Sequence, residues 1–239
     1  MSDAQVRAFP TLEDASDALA AEVARELEDA VATHGRATMA LSGGSTPRRL
    51  HEILASEHNL PWDRIHVFLG DERFVPPHSE DSNFRMACDT LLNHVRIPLH
   101  NVHAWETSMS HPDLAAITMQ VELERIFEVD EGELPRFDVM LLGLGEDGHT
   151  ASLFPHSPAL RVRERWAVPA KAPDKPRRRL SITLPVINAS RHIHFLVAGG
   201  DKREALRCAM DDPSPDCPAS LVRPDEGTLT WWLDEEVAP

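Results

Sequence analysis

An acid and a histidine stand two residues apart in one glycine-rich segment of the chain. Asp147 and His149 lie within Gly143–Thr150, directly after a short apolar run at 137–142. A histidine can take up a proton near neutral pH, and a neighbouring carboxylate can orient its ring. The pattern therefore predicts a site for acid–base chemistry at this turn.

The apolar run before the turn has the length and composition of a buried strand in a parallel sheet. In open α/β sheets, ligands bind just beyond the carboxyl ends of strands, which is where the turn falls. Gly143, Gly145 and Gly148 also match the dinucleotide fingerprint, but the two acids between them would repel a pyrophosphate. A tight turn that carries a surface histidine remains a second explanation of the glycines.

A second candidate site is the glycine–hydroxyl loop at 42–46. It follows a predicted strand at 37–41, and Pro47 is well placed for the first turn of the helix predicted at 48–57. Exposed backbone N–H groups, hydroxyls and a helix N-terminus together suit a phosphate. The loop lacks the Walker A pattern, and an ordinary turn with a capping serine remains the alternative.

Charged side chains follow two more predicted strands. Asp71, Glu72 and Arg73 come after the strand at 65–69, and Lys202 comes after the strand at 192–197. Such charges often belong to solvated loops. A cation on the same sheet edge as the loop at 42–46 would help to hold a phosphate.

The hydrophobic pattern predicts that strands and helices alternate along the chain. Helices are expected at 11–34, 48–57, 82–93, 112–129 and 203–210, and strands at 37–41, 65–69, 137–142, 180–184, 192–197 and 229–233. This alternation predicts an α/β fold with a doubly wound, mostly parallel, Rossmann-like sheet, whose charged and glycine-rich strand ends meet along one edge. No repeat or linker divides the sequence, so residues 1–239 are expected to form a single α/β domain.

Composition and charge limit the class of partner. The chain of 239 residues is 42% hydrophobic and 26% charged, which is ordinary for a globular protein with a sizeable core. Its net charge of -15 argues against general binding to nucleic acid and against an anionic membrane surface. Because local charge can oppose the overall sign, a small anion remains a suitable partner.

The cysteines and histidines lack the spacing of a disulfide framework or a metal site. Cys88, Cys208 and Cys217 form no C-x-x-C pair, and no H-E-x-x-H spacing occurs among the 13 histidines. The first ten residues show no signal-peptide pattern, and no apolar run approaches the length of a membrane span. We therefore expect a chain that acts without a metal in the reducing cytoplasm. A monomer or weak homodimer is expected as well.

Six groups of segments together resemble the 6-phosphogluconolactonase family. They are L-S-G-G-S-T-P at 41–47, 70–76 with 81–83, G-L-G-E-D-G-H-T-A-S-L-F-P at 143–155, 179–188, 200–202 and 218–222. They occur in the order of the family and cover most of the chain, and their combination is highly specific. The family is similar in fold to the glucosamine-6-phosphate deaminases and ribose-5-phosphate isomerases.

The resemblance implies hydrolysis of 6-phospho-D-glucono-1,5-lactone to 6-phosphogluconate, without a metal or organic cofactor. In the family pattern His149 is the general base that activates water, Asp147 orients its ring and Arg73 stabilises the oxyanion. The residues expected to bind the phosphorylated substrate are Ser42, Gly43, Gly44, Ser45, Thr46, Asp71, Arg179 and Lys202. Arg177 and Arg178 remain alternatives as phosphate-binding cations.

Two other functions compete with this one. The related deaminases carry a glutamate at the position of Phe154 and an aromatic residue at that of Arg73, and phenylalanine cannot transfer the protons that opening an amino sugar requires. A non-catalytic sugar-phosphate sensor would keep the loop at 42–46, but it would not need Asp147, His149 and Arg73.

Overall fold

The structure, a computed structural model, describes residues 4–130, 132–211, 213–224 and 226–238. Its strands are β1 Gln5–Phe9, β2 Ala37–Leu41, β3 Ile65–Leu69, β4 Asp71–Arg73, β5 Val102–His103, β6 Val139–Leu142, β7 Ala167–Lys171, β8 Arg178–Ile182, β9 His192–Val197 and β10 Thr228–Asp234. Its α-helices are α1 Leu12–His34, α2 Arg48–Ser56, α3 Asn83–Ala87, α4 Pro112–Phe127, α5 Leu184–Ala189 and α6 Arg203–Met210. A π-helical turn at Cys88–Leu92 continues α3, within the helix expected at 82–93.

The main sheet of the described chain contains seven parallel strands in the order β1-β10-β9-β6-β2-β3-β5. Every residue of β2 and β6 is buried. Because successive side chains of a strand point to opposite faces, both faces of the sheet centre are covered. The α/β fold with a mostly parallel sheet is therefore confirmed.

The strand order reverses between β2 and β6. From β2 the chain continues to β3 and β5 on one side, whereas from β6 it continues to β9 and β10 on the other. In such sheets a crevice for ligands forms at the carboxyl ends of the strands where the order reverses. The loop at 42–47 follows β2 and the turn at 143–149 follows β6, so both candidate segments lie at this crevice.

A smaller antiparallel sheet, in the order β4-β8-β7, lies beside the crevice. The sequence pattern did not predict it, because β4 is only three residues long and β7 contains a proline. The prediction of a strand at 180–184 is also wrong at its carboxyl end, since β8 ends at Ile182 and Leu184 begins α5. Pro185 fits the first turn of that helix, where its missing N–H breaks no hydrogen bond.

The ends of α1 follow from its capping residues. The Thr11 side chain accepts a hydrogen bond from the backbone nitrogen of Asp14 at 3.1 Å, and Gly35 ends the helix in the left-handed conformation. Both ends confirm the helix expected at 11–34. Among the residues that the structure describes, no helix combines the length and apolarity that a membrane crossing would require.

Two histidines have pKa values far below the ordinary value of histidine. Burial, and after it the charge of Arg48, lowers the pKa of His51 to about 4. Burial, and after it His103, lowers the pKa of His66 to about 4. Unfolded histidine titrates near pH 6.5, so the unfolded chain binds more protons than the folded one between about pH 6.5 and 4. The free energy of unfolding should therefore fall as the pH is lowered through that window.

We expect His51→Gln to remove part of this acid sensitivity, on the order of 3 kcal/mol between about pH 7 and pH 4. His51 is fully buried, and its Nδ1 lies 3.1 Å from the hydroxyl of Thr90. Urea unfolding of the variant at both pH values measures the effect, with the exposed His78→Gln as a control. An equal loss of stability at low pH in wild type and His51→Gln would contradict the assignment.

Candidate active site

A cavity of about 270 Å³ lies at the carboxyl ends of β2, β3, β6 and β9. Its wall contains nine of the residues expected at the site: Ser42, Gly43, Gly44, Ser45, Thr46, Asp71, Arg73, His149 and Lys202. Asp147 and Arg179 do not line it. The fold therefore brings side chains from four strand ends to one place.

Backbone hydrogen bonds hold the turn that carries His149. The nitrogen of Gly145 donates to the carbonyl of His149 at 2.8 Å, and that of Gly148 donates to the carbonyl of Gly145 at 3.0 Å. Gly148 adopts a φ of +80°, which favours glycine. The Thr150 hydroxyl donates to the carbonyl of Gly143 at 2.9 Å, so both ends of the turn are fixed.

Asp147 holds the His149 ring in one orientation. Its Oδ1 lies 2.5 Å from Nδ1 of His149 and 3.1 Å from the backbone nitrogen of the same residue. A carboxylate only accepts hydrogen bonds, so in the neutral ring Nδ1 carries the proton and Nε2 keeps its lone pair. Burial by itself raises the pKa of Asp147, but the hydrogen bonds and charge of His149 outweigh it and lower the pKa overall. The pair can therefore act as an oriented base.

The ring of Phe154 packs against the imidazole of His149. The two ring centroids are 4.5 Å apart, and Phe154 is almost fully buried. Phe154 and Asp147 also line a separate groove between 154–159 and the β7–β8 hairpin. Asp147 thus acts on the cavity through His149 rather than from its wall.

We expect Gly145→Ala to lower turnover on the order of 10- to 10²-fold, because misplacing a catalytic group by about 1 Å can have such an effect. A Cβ at position 145 would collide with Nδ1 of His149 and lie 2.8 Å from Oδ1 of Asp147. Initial rates of hydrolysis of the lactone that the family resemblance implies measure the loss. Gly200→Ala is the control, since its Cβ would meet only an ordinary contact at 3.7 Å. Equal rates for the two variants would argue against this role of the turn.

The loop between β2 and α2 has the features of an anion site. Residues 42–46 present three hydroxyl side chains and two glycines to the cavity, and α2 begins at Arg48 directly after Pro47. Free N–H groups at a helix N-terminus and nearby hydroxyls stabilise negative charge. The expected phosphate position is therefore compatible with the geometry.

Glu72 fixes the strand end that carries Arg73. Its buried carboxylate accepts hydrogen bonds from the backbone nitrogens of Arg73, Asn83 and Phe84, each at 2.7 Å. Burial raises the pKa of Glu72, and these backbone hydrogen bonds oppose the shift without cancelling it. Glu72 does not line the cavity, so it positions the segment rather than contacting a ligand.

Asp71 and Asn83 form another part of the cavity wall. Oδ2 of Asp71 accepts from the Ser152 hydroxyl at 2.6 Å, and Nδ2 of Asn83 donates to the carbonyl of Asp71 at 3.0 Å. The family resemblance predicts a role for Asp71 but not for Asn83 or Ser152. Their only signal is their presence in the motifs at 81–83 and 143–155.

The candidate cations occupy different positions. Arg73 lines the cavity and donates from Nη1 to the carbonyl of Asp81 at 2.7 Å. Lys202 lines the cavity as well, with Nζ 3.5 Å from a carboxylate oxygen of Glu146. Arg179 pairs with Arg73 across β4 and β8, and its Nε is buried without a partner among the described residues.

Burial, and after it the charge of Arg73, lowers the pKa of Arg179. Like charges directly opposite each other on neighbouring strands are unfavourable, so an anion close to both would stabilise the arrangement. Arg178 lies 4.9 Å above the ring of Phe74, and Arg177 lines the separate groove. Neither of these two arginines lines the cavity.

Known proteins that are similar to this chain belong to the family that its sequence motifs resemble. A family model described as glucosamine-6-phosphate isomerases/6-phosphogluconolactonase matches residues 10–231. A 6-phosphogluconolactonase of Synechocystis sp. is 45% identical over 216 residues, which cover 90% of this chain and 88% of the relative.

Solved structures with the same fold include a 6-phosphogluconolactonase from Trypanosoma cruzi, with a TM-score of 0.88 and 27% identity over 99% of this chain and 96% of that one. A monomeric glucosamine-6-phosphate deaminase shares the fold with a TM-score of 0.83 at 19% identity, over 98% of each chain. Since the family model spans most of the sequence and the Synechocystis relative covers 90% of it, this chain belongs to the family of glucosamine-6-phosphate isomerases and 6-phosphogluconolactonases.

Proposed function

We propose that this chain hydrolyses 6-phospho-D-glucono-1,5-lactone to 6-phospho-D-gluconate, as a step of the oxidative pentose phosphate pathway. This is the activity after which the relatives from Synechocystis sp. and Trypanosoma cruzi are named. One observation carries the proposal: a single cavity contains the oriented His149 ring, Arg73 and a hydroxyl-rich loop at a helix N-terminus. Together these groups supply a base, a fixed cation and an anion site.

In the proposed reaction, Nε2 of His149 accepts a proton from water while the water oxygen attacks the lactone carbonyl carbon. Asp147 stabilises the imidazolium through the hydrogen bond at Nδ1. Arg73 stabilises the negative charge that develops on the carbonyl oxygen. When the tetrahedral intermediate collapses, the bond to the ring oxygen breaks, and the proton on His149 passes to that leaving oxygen. The base is then regenerated.

The substrate phosphate is assigned to the loop at 42–46, with Lys202 and Arg179 as supporting cations. Hydrogen bonds to charged groups contribute roughly 1.5–3 kcal/mol each, so several of them would dominate recognition. This local site would let a protein of net charge -15 bind a dianion.

A deaminase reaction fits the site less well. Phe154 packs against His149 at the position where the deaminases carry a glutamate. An apolar ring cannot exchange protons with an amino sugar, whereas hydrolysis of a reactive lactone needs only one base.

The proposal includes the setting of the enzyme: a single domain, a monomer or weak homodimer, and a location in the reducing cytoplasm. The reaction as drawn uses only side chains of this chain and water. Within the described ranges, no group of three or more His, Cys, Asp or Glu side chains lies where it could hold a metal ion.

Turnover of freshly generated lactone, measured against its spontaneous hydrolysis, tests the function. We expect rapid hydrolysis of the phosphorylated lactone, much slower hydrolysis of unphosphorylated gluconolactone, and no release of ammonia from glucosamine 6-phosphate. Equal catalytic efficiency on the two lactones would refute phosphate recognition. Ammonia release without lactone hydrolysis would favour the deaminase.

A further inference from the structure

Two thiols lie together behind the turn that carries the catalytic pair. Cys208 is half-buried on α6, and Cys217 is fully buried in the segment that follows this helix. Both are free thiols, as is Cys88 on the π-helical turn after α3. The proposed reaction uses none of the three.

The segment that follows α6 places the Cys217 sulfur against this helix, which also carries Cys208. Sγ of Cys217 lies 3.9 Å from the carbonyl oxygen of Ala205, one turn before Cys208. Helical side chains lean toward the N-terminus, so the Cys208 side chain leans over the turn that Cys217 touches. Consistent with this, burial and then a hydrogen bond with the Cys208 thiol raise the pKa of Cys217 to about 12.

Cys217 also packs against Gly148, the residue between Asp147 and His149. Its Sγ lies 4.0 Å from the carbonyl oxygen of Gly148, and that oxygen accepts a hydrogen bond from the backbone nitrogen of Ala219 at 2.9 Å. A Cβ at position 148 would lie only 2.7 Å from this sulfur. The position of the Cys217 sulfur is therefore coupled to the backbone of the catalytic turn.

We propose that Cys208 and Cys217 are a site of reversible oxidative modification, at which a hydroperoxide converts the two thiols into an intramolecular disulfide that slows hydrolysis. The effect on hydrolysis rests on the function proposed above, whereas the modification itself does not. A covalent S–S bond is shorter than the contact between two thiols, so its formation draws the Cys217 sulfur toward α6 and away from Gly148.

The chemistry balances with hydrogen peroxide as the oxidant. The more accessible sulfur, that of Cys208, attacks one peroxide oxygen and breaks the O–O bond, which gives a sulfenic acid and one water. The sulfur of Cys217 then displaces the hydroxyl from the Cys208 sulfur, and its thiol proton leaves with that hydroxyl as a second water. In total, two thiols and one peroxide yield one disulfide and two waters. A dithiol reductant reverses the step by thiol–disulfide exchange.

The test treats the intact protein with hydrogen peroxide, alkylates it under denaturing conditions, and compares alkylated thiols with lactone hydrolysis. We expect the thiol count to fall from three to one, a digest to contain a linked Cys208–Cys217 peptide, and turnover to fall on the order of 10- to 10²-fold. Dithiothreitol should restore both. Cys208→Ser should keep basal turnover and lose the peroxide effect, while Cys88→Ser should behave as wild type.

Three retained thiols, or a disulfide that includes Cys88, would overturn the proposal. A linked Cys208–Cys217 peptide without any change in turnover would overturn the coupling to the catalytic turn, as would equal inactivation of Cys208→Ser. The thiol count and the linked peptide can be measured even if the untreated protein does not hydrolyse the lactone. A failure of the proposed function can therefore be distinguished from a failure of the proposed thiol oxidation.

Discussion

Replacing His149 by asparagine is expected to lower turnover of the phosphorylated lactone by about 10²–10⁴-fold, the range that general-base catalysis contributes. Asparagine has a similar size, but its amide cannot take a proton from water. Because His149 is only partly buried, the variant should fold normally and still bind 6-phosphogluconate. Steady-state kinetics and calorimetric binding of the product measure the two effects separately, with the exposed His111→Asn as a control.

The pH dependence gives a second test of the same residue. A histidine must be unprotonated to act as a base, so wild-type turnover should fall when acid protonates the ring. The turnover of His149→Asn should not show this fall at low pH. Near wild-type turnover in the variant, or an acyl intermediate trapped on a serine, would show that His149 is not the base.

Replacing Arg73 by methionine is expected to lower turnover by about 10²–10³-fold, a larger effect than its weakening of product binding. Loss of one group that stabilises an oxyanion typically has an effect of this size. Arg73 lines the same cavity as His149, and its backbone is fixed through Glu72. Its contribution should therefore appear in the transition state rather than in the ground state.

Arg179→Met is the matched comparison for Arg73→Met. The two arginines face each other across neighbouring strands, but only Arg73 lines the cavity. We expect Arg179→Met to raise KM more than it lowers kcat, since its assigned partner is the substrate phosphate. If Arg73→Met instead kept its turnover and lost only affinity, Arg73 would be a binding residue.

Local sequence predicts the two segments of the site in which an apolar strand runs directly into a glycine-rich turn. Strand, glycine turn and helix start follow one another around 37–48, and the structure has β2, the loop and α2 there. The turn at 143–149 similarly follows β6, and the Asp147 side chain reaches His149 within the same turn. Parallel strands place their carboxyl ends at one edge, which is why these distant segments could be expected to meet.

Features that depend on tertiary pairing could not be derived from local pattern. β4 is too short to show a period, and β7 carries Pro169, which sequence reasoning treats as a loop signal. The pairing that sets Arg179 opposite Arg73 arises only once β4 and β8 join. The contact of Cys217 with Gly148 joins residues that are 69 positions apart in the sequence, and no sequence motif predicts it.

A crystal structure of the protein with bound 6-phosphogluconate tests most directly whether the cavity orients the substrate between an anion loop and a base. The account predicts that the phosphate contacts the backbone and hydroxyls of 42–46. It also predicts that the C1 carboxylate lies at the end of the cavity that contains the His149 ring and the Arg73 guanidinium. A product bound in the opposite direction, with its phosphate at His149, would contradict the account.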